Sequence, residues 1–304
     1  MPLRSGAEMA LTRRGFLALA SGTAAGLIAA CATQPSAPAA REPLRSDRPP
    51  KSADLWNGSG LDARVLFQRE VDRLPDAPHM LRVTELEMAP GASIDPHSHL
   101  GPGVQVVLSG AVTVIDSQTS ESSVYEPTAA APFPVYYSGL TTRYSTENRG
   151  STGNRLFMAE ILPRSRGFLG NQQFDMEGVT HNQGGVRSGP YVQAPLERLP
   201  EGPLMVRVSQ IDMGPKAFTP EYTRPGPGIF LIVSGQATFR RQADLVITTN
   251  GAGGYFFEDG SAPTILENKP NSPNRIVAVE FLPASLGTQP STMPTGGTVS
   301  HGPG

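Results

Sequence analysis

Cysteine is almost absent from this chain: Cys31 is the only one in 304 residues. A monomer with one thiol has no internal disulfide, and if Cys31 is modified no thiol nucleophile is left. Charge is also sparse, at 17% of residues with a formal net of −2, and no basic block occurs beyond the N-terminal region. Nothing here provides an electrostatic footprint for a nucleic-acid backbone, so nucleic acid is discounted as a partner. Long hydrophobic runs are missing too, because the apolar stretch near the N-terminus is too short to span a bilayer and stay there. Amphipathic helical periodicity is scarce beyond that stretch, apart from a short candidate helix near 64–73. Glycine, with 33 residues, and proline, with 30, are abundant. Both punctuate strands and weaken helix interiors, so the composition points to a turn-rich, all-β fold. The Gly-rich pieces "PGPG" and "NGAGG" precede strands or turns rather than helices and are not phosphate loops. No G-x-S-x-G nucleophile motif occurs.

The segment "LTRRGFLALASGTAAGLIAAC" (11–31) places Arg13 and Arg14 ahead of a short run of small and aliphatic residues. It resembles a twin-arginine export signal, and its end, "LIAAC", resembles a lipoprotein box. The resemblance implies a signal peptide over 1–30, cleavage before Cys31, and a palmitate-type lipid on that thiol. The next segment, "ATQPSAPAAREPLRSDRPPKSAD" (32–54), is Pro-, Ala-, Ser- and Arg-rich without apolar periodicity, and reads as a semi-extended tether. The expected address is the periplasmic face of a bacterial membrane. Ala32, where an Asp would favour inner-membrane retention, tilts this toward the outer membrane. Twin-arginine export carries folded cargo, which leaves room for a cofactor loaded in the cytoplasm.

Self-similarity organises the remainder. "RLPDAPHMLRVTELEMAP" (73–90) aligns without a gap on "RLPEGPLMVRVSQIDMGP" (198–215), a shift of 125. At the same shift "GPGVQVVLSGAVTV" falls on "GPGIFLIVSGQATF", and at a shift of 120 "ENRGSTGNRLFMAEILP" falls on "ENKPNSPNRIVAVEFLP". The chain is therefore two copies of one β-rich unit, expected over 55–190 and 191–304, each large enough to hold its own core.

These residues resemble the cupin superfamily, double-stranded β-helix jelly-roll barrels, here as a bicupin. The family's first motif runs Gly, five residues, His-x-His, three or four residues, Glu, six residues, Gly. This chain supplies Gly91, His97, His99 and Gly110 at matching spacing, but Gly103 stands where the resemblance implies a metal-binding Glu. In the second motif, Tyr144 stands four positions before Asn148, where the family has its third histidine. A catalytic iron, manganese or other divalent metal needs three or more protein ligands, so His97 and His99 are half a site. Residues 103 and 105 of a strand share a face, which makes Gln105 a substitute donor, with Tyr144 and Asp95 as others.

In the second copy Tyr222 and Arg224 take the places of His97 and His99. A guanidinium does not ligate metal, but it grips a carboxylate or phosphate. Tyr222 and Arg224 are thus candidates for an anionic ligand, against the alternative that Arg224 pairs with Glu221 or Glu258. His181 and His301 end equivalent tails, and one of them completing the His97/His99 site is weighed against both being solvated; His79 reads as an ordinary strand residue. Two functional readings are open. One is a lipid-anchored binding or accessory bicupin for a small ligand, with an anion among the candidates, an incomplete metal site in the first barrel and none in the second. The other is an Fe- or Mn-dependent oxygenase or isomerase built on His97, His99 and a substitute ligand. Association into a homo-oligomer fits either.

Overall fold

The computed structural model describes residues 59–166, 184–242 and 246–294. Among them, the regular elements are strands plus two single-turn 3-10 segments, Arg164–Arg166 and Ala284–Leu286. The first ten strands are β1 (Ser59–Glu70), β2 (His79–Met88), β3 (Ser93–Ser98), β4 (Gly103–Ser109), β5 (Val112–Asp116), β6 (Ser122–Tyr125), β7 (Val135–Ser138), β8 (Arg143–Glu147), β9 (Asn154–Pro163) and β10 (Val186–Leu196). The rest are β11 (Leu204–Phe218), β12 (Tyr222–Thr223), β13 (Gly228–Ser234), β14 (Gln236–Arg241), β15 (Val246–Gly251), β16 (Tyr255–Glu258), β17 (Thr264–Glu267), β18 (Asn274–Pro283) and β19 (Met293–Pro294). Arg13, Arg14, Cys31, His181 and His301 lie outside the described residues.

The pairing is that of a jelly roll. In the first copy, β2-β9-β4-β7 forms one sheet and β3-β8-β5-β6 the other. In the second, the equivalents are β11-β18-β13-β16 and β12-β17-β14-β15, joined where Phe218 at the end of β11 pairs with Glu267 of β17. The described residues are all-β, two tandem double-stranded β-helix barrels.

Period-two alternation divides the buried residues of the central strands between two environments. In β4, Val104 and Val106 face the inter-barrel core, whereas Val107 belongs to the interior of the first barrel. In β13, Ile229 and Leu231 face that same inter-barrel core, while Phe230 and Ile232 fill the second barrel. The barrels therefore pack back to back through an apolar layer to which both contribute. This is why "VQVVL" and "IFLIV" read as nearly continuous apolar runs: they are covered on both faces.

The barrels also exchange their outer strands. β1 lies antiparallel on β11 of the second barrel, and β10 lies antiparallel on β2 of the first. Each exchanged strand carries a register shift at the equivalent place, between Val65 and Phe67 and between Pro190 and Val192. The first bulge re-aims the chain: Val65 points into the second barrel and Phe67 into the inter-barrel core. The helix expected near 64–73 is thus a strand, because its apolar residues pair with β11 instead of forming a helical stripe. The expected division between 190 and 191 falls inside β10.

Phe67 is 3% exposed at the layer both barrels share. Phe67→Ala is expected to lower unfolding stability by about 3 kcal/mol or more in denaturant titration. Ile247→Ala, at a strand position 61% exposed, is expected to change it by less than about 0.5 kcal/mol.

Candidate ligand site in the first barrel

His97 lies in β3 and His99 one residue beyond its end, and the two-residue spacing turns both rings inward. They are 3% and 4% exposed, with ring centroids 5.3 Å apart. Across the β3–β8 ladder His97 pairs with Tyr144, whose ring lies 4.9 Å from that of His97 and stacks on that of His99 at 5.7 Å. Gln105 reaches the same interior from β4 and Tyr136 from β7. The structure therefore brings His97, His99, Gln105 and Tyr144 together.

Gly103 has a steric cause. It pairs with Glu160 on one side and Ser138 on the other. A Cβ at this position would lie 2.6 Å from the Ala159 carbonyl oxygen and 2.7 Å from Glu160 Cβ. No side chain fits at 103 as the strands stand. Glu160, from the adjacent strand β9, brings a carboxylate into this part of the barrel instead.

That carboxylate is fully engaged. Arg82 donates from Nε to Oε1 at 3.0 Å, with Nη2 at 2.9 Å from the same oxygen. Oε2 lies 3.1 Å from His99 Nδ1. Burial pushes the Glu160 carboxyl up, but the His99 hydrogen bond and the Arg82 charge outweigh it and hold it below its usual range. An ionised carboxylate only accepts, so His99 Nδ1 carries the proton. With the proton on Nδ1, Nε2 is placed to accept from the Tyr144 hydroxyl at 2.7 Å. Gln105 Nε2 donates to the Tyr144 oxygen, and Tyr136 donates to Gln105 Oε1. Burial raises the Tyr144 and Tyr136 phenols above their usual range, so both remain neutral donors. His97 is oriented separately, with Nδ1 2.8 Å from the Asp95 carbonyl oxygen. Asp95 thus holds His97 through its backbone.

The result is one directed chain of hydrogen bonds, Tyr136 to Gln105 to Tyr144 to His99 to Glu160, closed by Arg82. It does not fit a divalent cation. Both nitrogens of His99 are engaged, and the Gln105 oxygen, expected to replace the missing carboxylate, is turned to Tyr136. Among the described residues, no three His, Cys, Asp or Glu side chains converge as a metal-holding group.

Sequence reasoning missed Glu160 and Arg82. The signal for them was present: Glu160 and Glu280 are single acids inside otherwise apolar strands, and each matches the other across the repeat, as Arg82 matches Arg207. A charge at such a position is rarely buried without a partner.

The second barrel uses the same plan with different chemistry. Arg224, in the place of His99, bridges Glu258 and Glu280 and donates from Nη1 to Ser291 Oγ at 3.2 Å. The Tyr222 hydroxyl donates to Glu258 at 3.1 Å, and the guanidinium lies over the rings of Tyr222 and Phe230 at 4.8 and 4.4 Å. Of the alternatives for Arg224, the structure adopts the pairing with Glu258 and adds Glu280. Burial is the largest influence on Glu258 and keeps its carboxyl above the usual range despite Arg224. Arg207 meanwhile turns to Gln68 Oε1 at 3.1 Å and to the carbonyls of Gly287 and Gln289 at 2.6 and 2.8 Å. His79, whose Nε2 lies 2.9 Å from the Pro75 carbonyl oxygen, takes no part in either site.

Neither a family model nor a curated protein matches the chain. Solved structures do. One is AerE from Microcystis aeruginosa, 13% identical over 72% of this chain and 99% of that one, with a TM-score of 0.47. Another is vicilin from Capsicum annuum, 12% identical over 66% and 75%, at 0.46. A third is Bacillus subtilis oxalate decarboxylase, 15% identical over 75% and 74%, at 0.43, described for its Mn(II) centres. At these TM-scores the likeness adds no weight, and the architecture rests on the strand pairing itself.

Glu160→Gln is expected to lose about 3 kcal/mol at pH 7 by removing one partner of a buried ion pair. Because the folded carboxyl lies below its ordinary value of 4.5, its contribution is complete above that pH and fades as the pH falls further. Urea titrations at stepped pH should show the wild type losing that increment below pH 4.5 and the variant lacking the step. Tyr144→Phe leaves His99 Nε2 and Gln105 Nε2 without this partner, and a loss of about 1–3 kcal/mol is expected in the same titrations.

Proposed function

We propose that this chain is an exported, lipid-anchored bicupin that binds a small ligand bearing carboxylate or carbonyl oxygens in its first barrel, with the second barrel structural. The observation that carries the reading is the contrast between equivalent positions. In the second barrel Glu258 closes on Arg224, so the cation is satisfied by the protein's own acids. In the first barrel the position equivalent to Glu258 is Ser138, a wholly buried neutral hydroxyl in place of a carboxylate. It faces the Tyr144 phenol, whose ring packs against both histidines. A buried hydroxyl beside a neutral phenol, with no internal carboxylate to fill the place, suits an acceptor oxygen from a ligand. Tyr222 and Arg224 are left out of ligand binding, because the arginine's anions are internal.

The alternative, an iron- or manganese-dependent oxygenase or isomerase, requires His99 to leave Tyr144 and a third ligand to arrive. The donor set does not favour it. The anchor rests on the sequence resemblance alone: Arg13 and Arg14 direct export, Cys31 carries lipid, and 32–54 stands the barrels off the periplasmic face of the membrane, the outer one by the residue after Cys31.

Elemental analysis of protein purified through its native export route tests the metal question, with His97→Ala and His99→Ala alongside. The reading predicts less than stoichiometric metal, unchanged in both variants. Stoichiometric metal lost in both would overturn it. Fractionation tests the anchor: Cys31→Ser is expected to move the chain from membranes to the soluble periplasmic fraction.

A further inference from the structure

We propose a second ligand site, outside both barrels, where β1 crosses the first barrel, and infer that it takes a small organic monoanion with an apolar body. A cavity of about 590 Å³ lies there, lined by Arg64 and Leu66 of β1 and by residues of β6, β7 and the segment between them, including Val124, Tyr125 and Phe133. That size is typical of small-molecule sites. Its walls mix apolar side chains with Ser123, Glu126 and Thr128, and Val124 is 63% exposed.

The polar anchor is Arg64. Its Nη2 donates to the neutral Gln210 oxygen at 2.9 Å, while its Nε is buried with no hydrogen-bond partner. Among the described residues it makes no ion pair. A half-buried guanidinium whose acceptor is a neutral amide is matched to a carboxylate from a ligand. Glu126 also borders the cavity, at an exposed position.

The repeat shows that the fold does not require this cation. β10 is the counterpart of β1, and at the shift of 125 the counterpart of Arg64 is Gly189. A Cβ placed at Gly189 would meet nothing within 4 Å. The exchanged strand therefore pairs equally well without a cation there. Arg64 belongs to one side of a pseudo-symmetric molecule, which leaves it available for a local function beside its bond to Gln210.

The test is calorimetric titration of the full chain with octanoate and with its neutral analogue octanamide. Octanoate is expected to bind one to one, at least tenfold more tightly than octanamide. Arg64→Gln should bring octanoate down to the octanamide level. Val124→Asp, at an exposed position that leaves folding intact, should weaken octanoate at least tenfold and octanamide little. Ile247→Asp, at a similarly exposed place on the second barrel, should change neither. Absence of octanoate binding, equal affinity for the two probes, or wild-type affinity in either Arg64→Gln or Val124→Asp would overturn the proposal. So would a loss in Ile247→Asp as large as in Val124→Asp.

Discussion

A carboxylate buried on the inner face of a sheet has to be neutralised where it stands, and both barrels are arranged around that requirement. Glu160 and Glu280 occupy equivalent positions on β9 and β18 and are 1% and 0% exposed. Each receives a nitrogen donor from the residue two places after the first inward-facing residue of the motif strand: His99 in one barrel, Arg224 in the other. The choice of donor sets the character of each interior. Imidazole leaves a second nitrogen to be satisfied, and Tyr144, Gln105 and Tyr136 extend from it as a chain of neutral donors. Guanidinium carries full charge and several protons, and a second carboxylate, Glu258, comes in to meet them. One barrel is thereby kept nearly neutral and adaptable, and the other is locked by its own ions.

The back-to-back packing accounts for why such interiors are tolerated. The shared layer of Val104, Val106, Phe157, Val206, Ile229 and Phe281 holds the two larger sheets together without help from the barrel interiors. Exchange of β1 and β10 ties the copies further, since each covers an edge of the other's sheet that would otherwise be open to pairing. With the frame held from outside, the mouth-side half of the first barrel can be polar while Leu86, Val112, Val114 and Leu156 fill the other half. Duplication also lets equivalent positions diverge, and the pairs Ser138/Glu258 and Arg64/Gly189 show how far they have.

The barrels were legible from the repeat and from the spacing Gly91, His97, His99, Gly110, because turn glycines and alternating strands are local signals. The convergence of Gln105 and Tyr144 on the histidines was legible as well, since a two-residue strand period settles which face a side chain shares. Glu160 was not found, because a motif read along one strand does not show what the neighbouring strand inserts, and Gly103 looked like a loss rather than a position given up to Glu160. The exchanged strands were missed for a related reason. β1 has no regular alternation across its bulge, so its apolar residues mimicked a short helix until the pairing with β11 explained them.

The chemistry of the first barrel turns on His99 being held between an acceptor and a donor. Nitrogen-15 NMR of selectively labelled protein at neutral pH reads the protonation of each ring nitrogen directly, and a Zn²⁺ titration reads whether Nε2 is available. The expected result is a ring protonated at Nδ1, with Nε2 accepting a hydrogen bond and its signal unmoved by equimolar Zn²⁺. A ring protonated at Nε2, or an Nε2 signal that shifts stoichiometrically with the metal, would contradict this assignment.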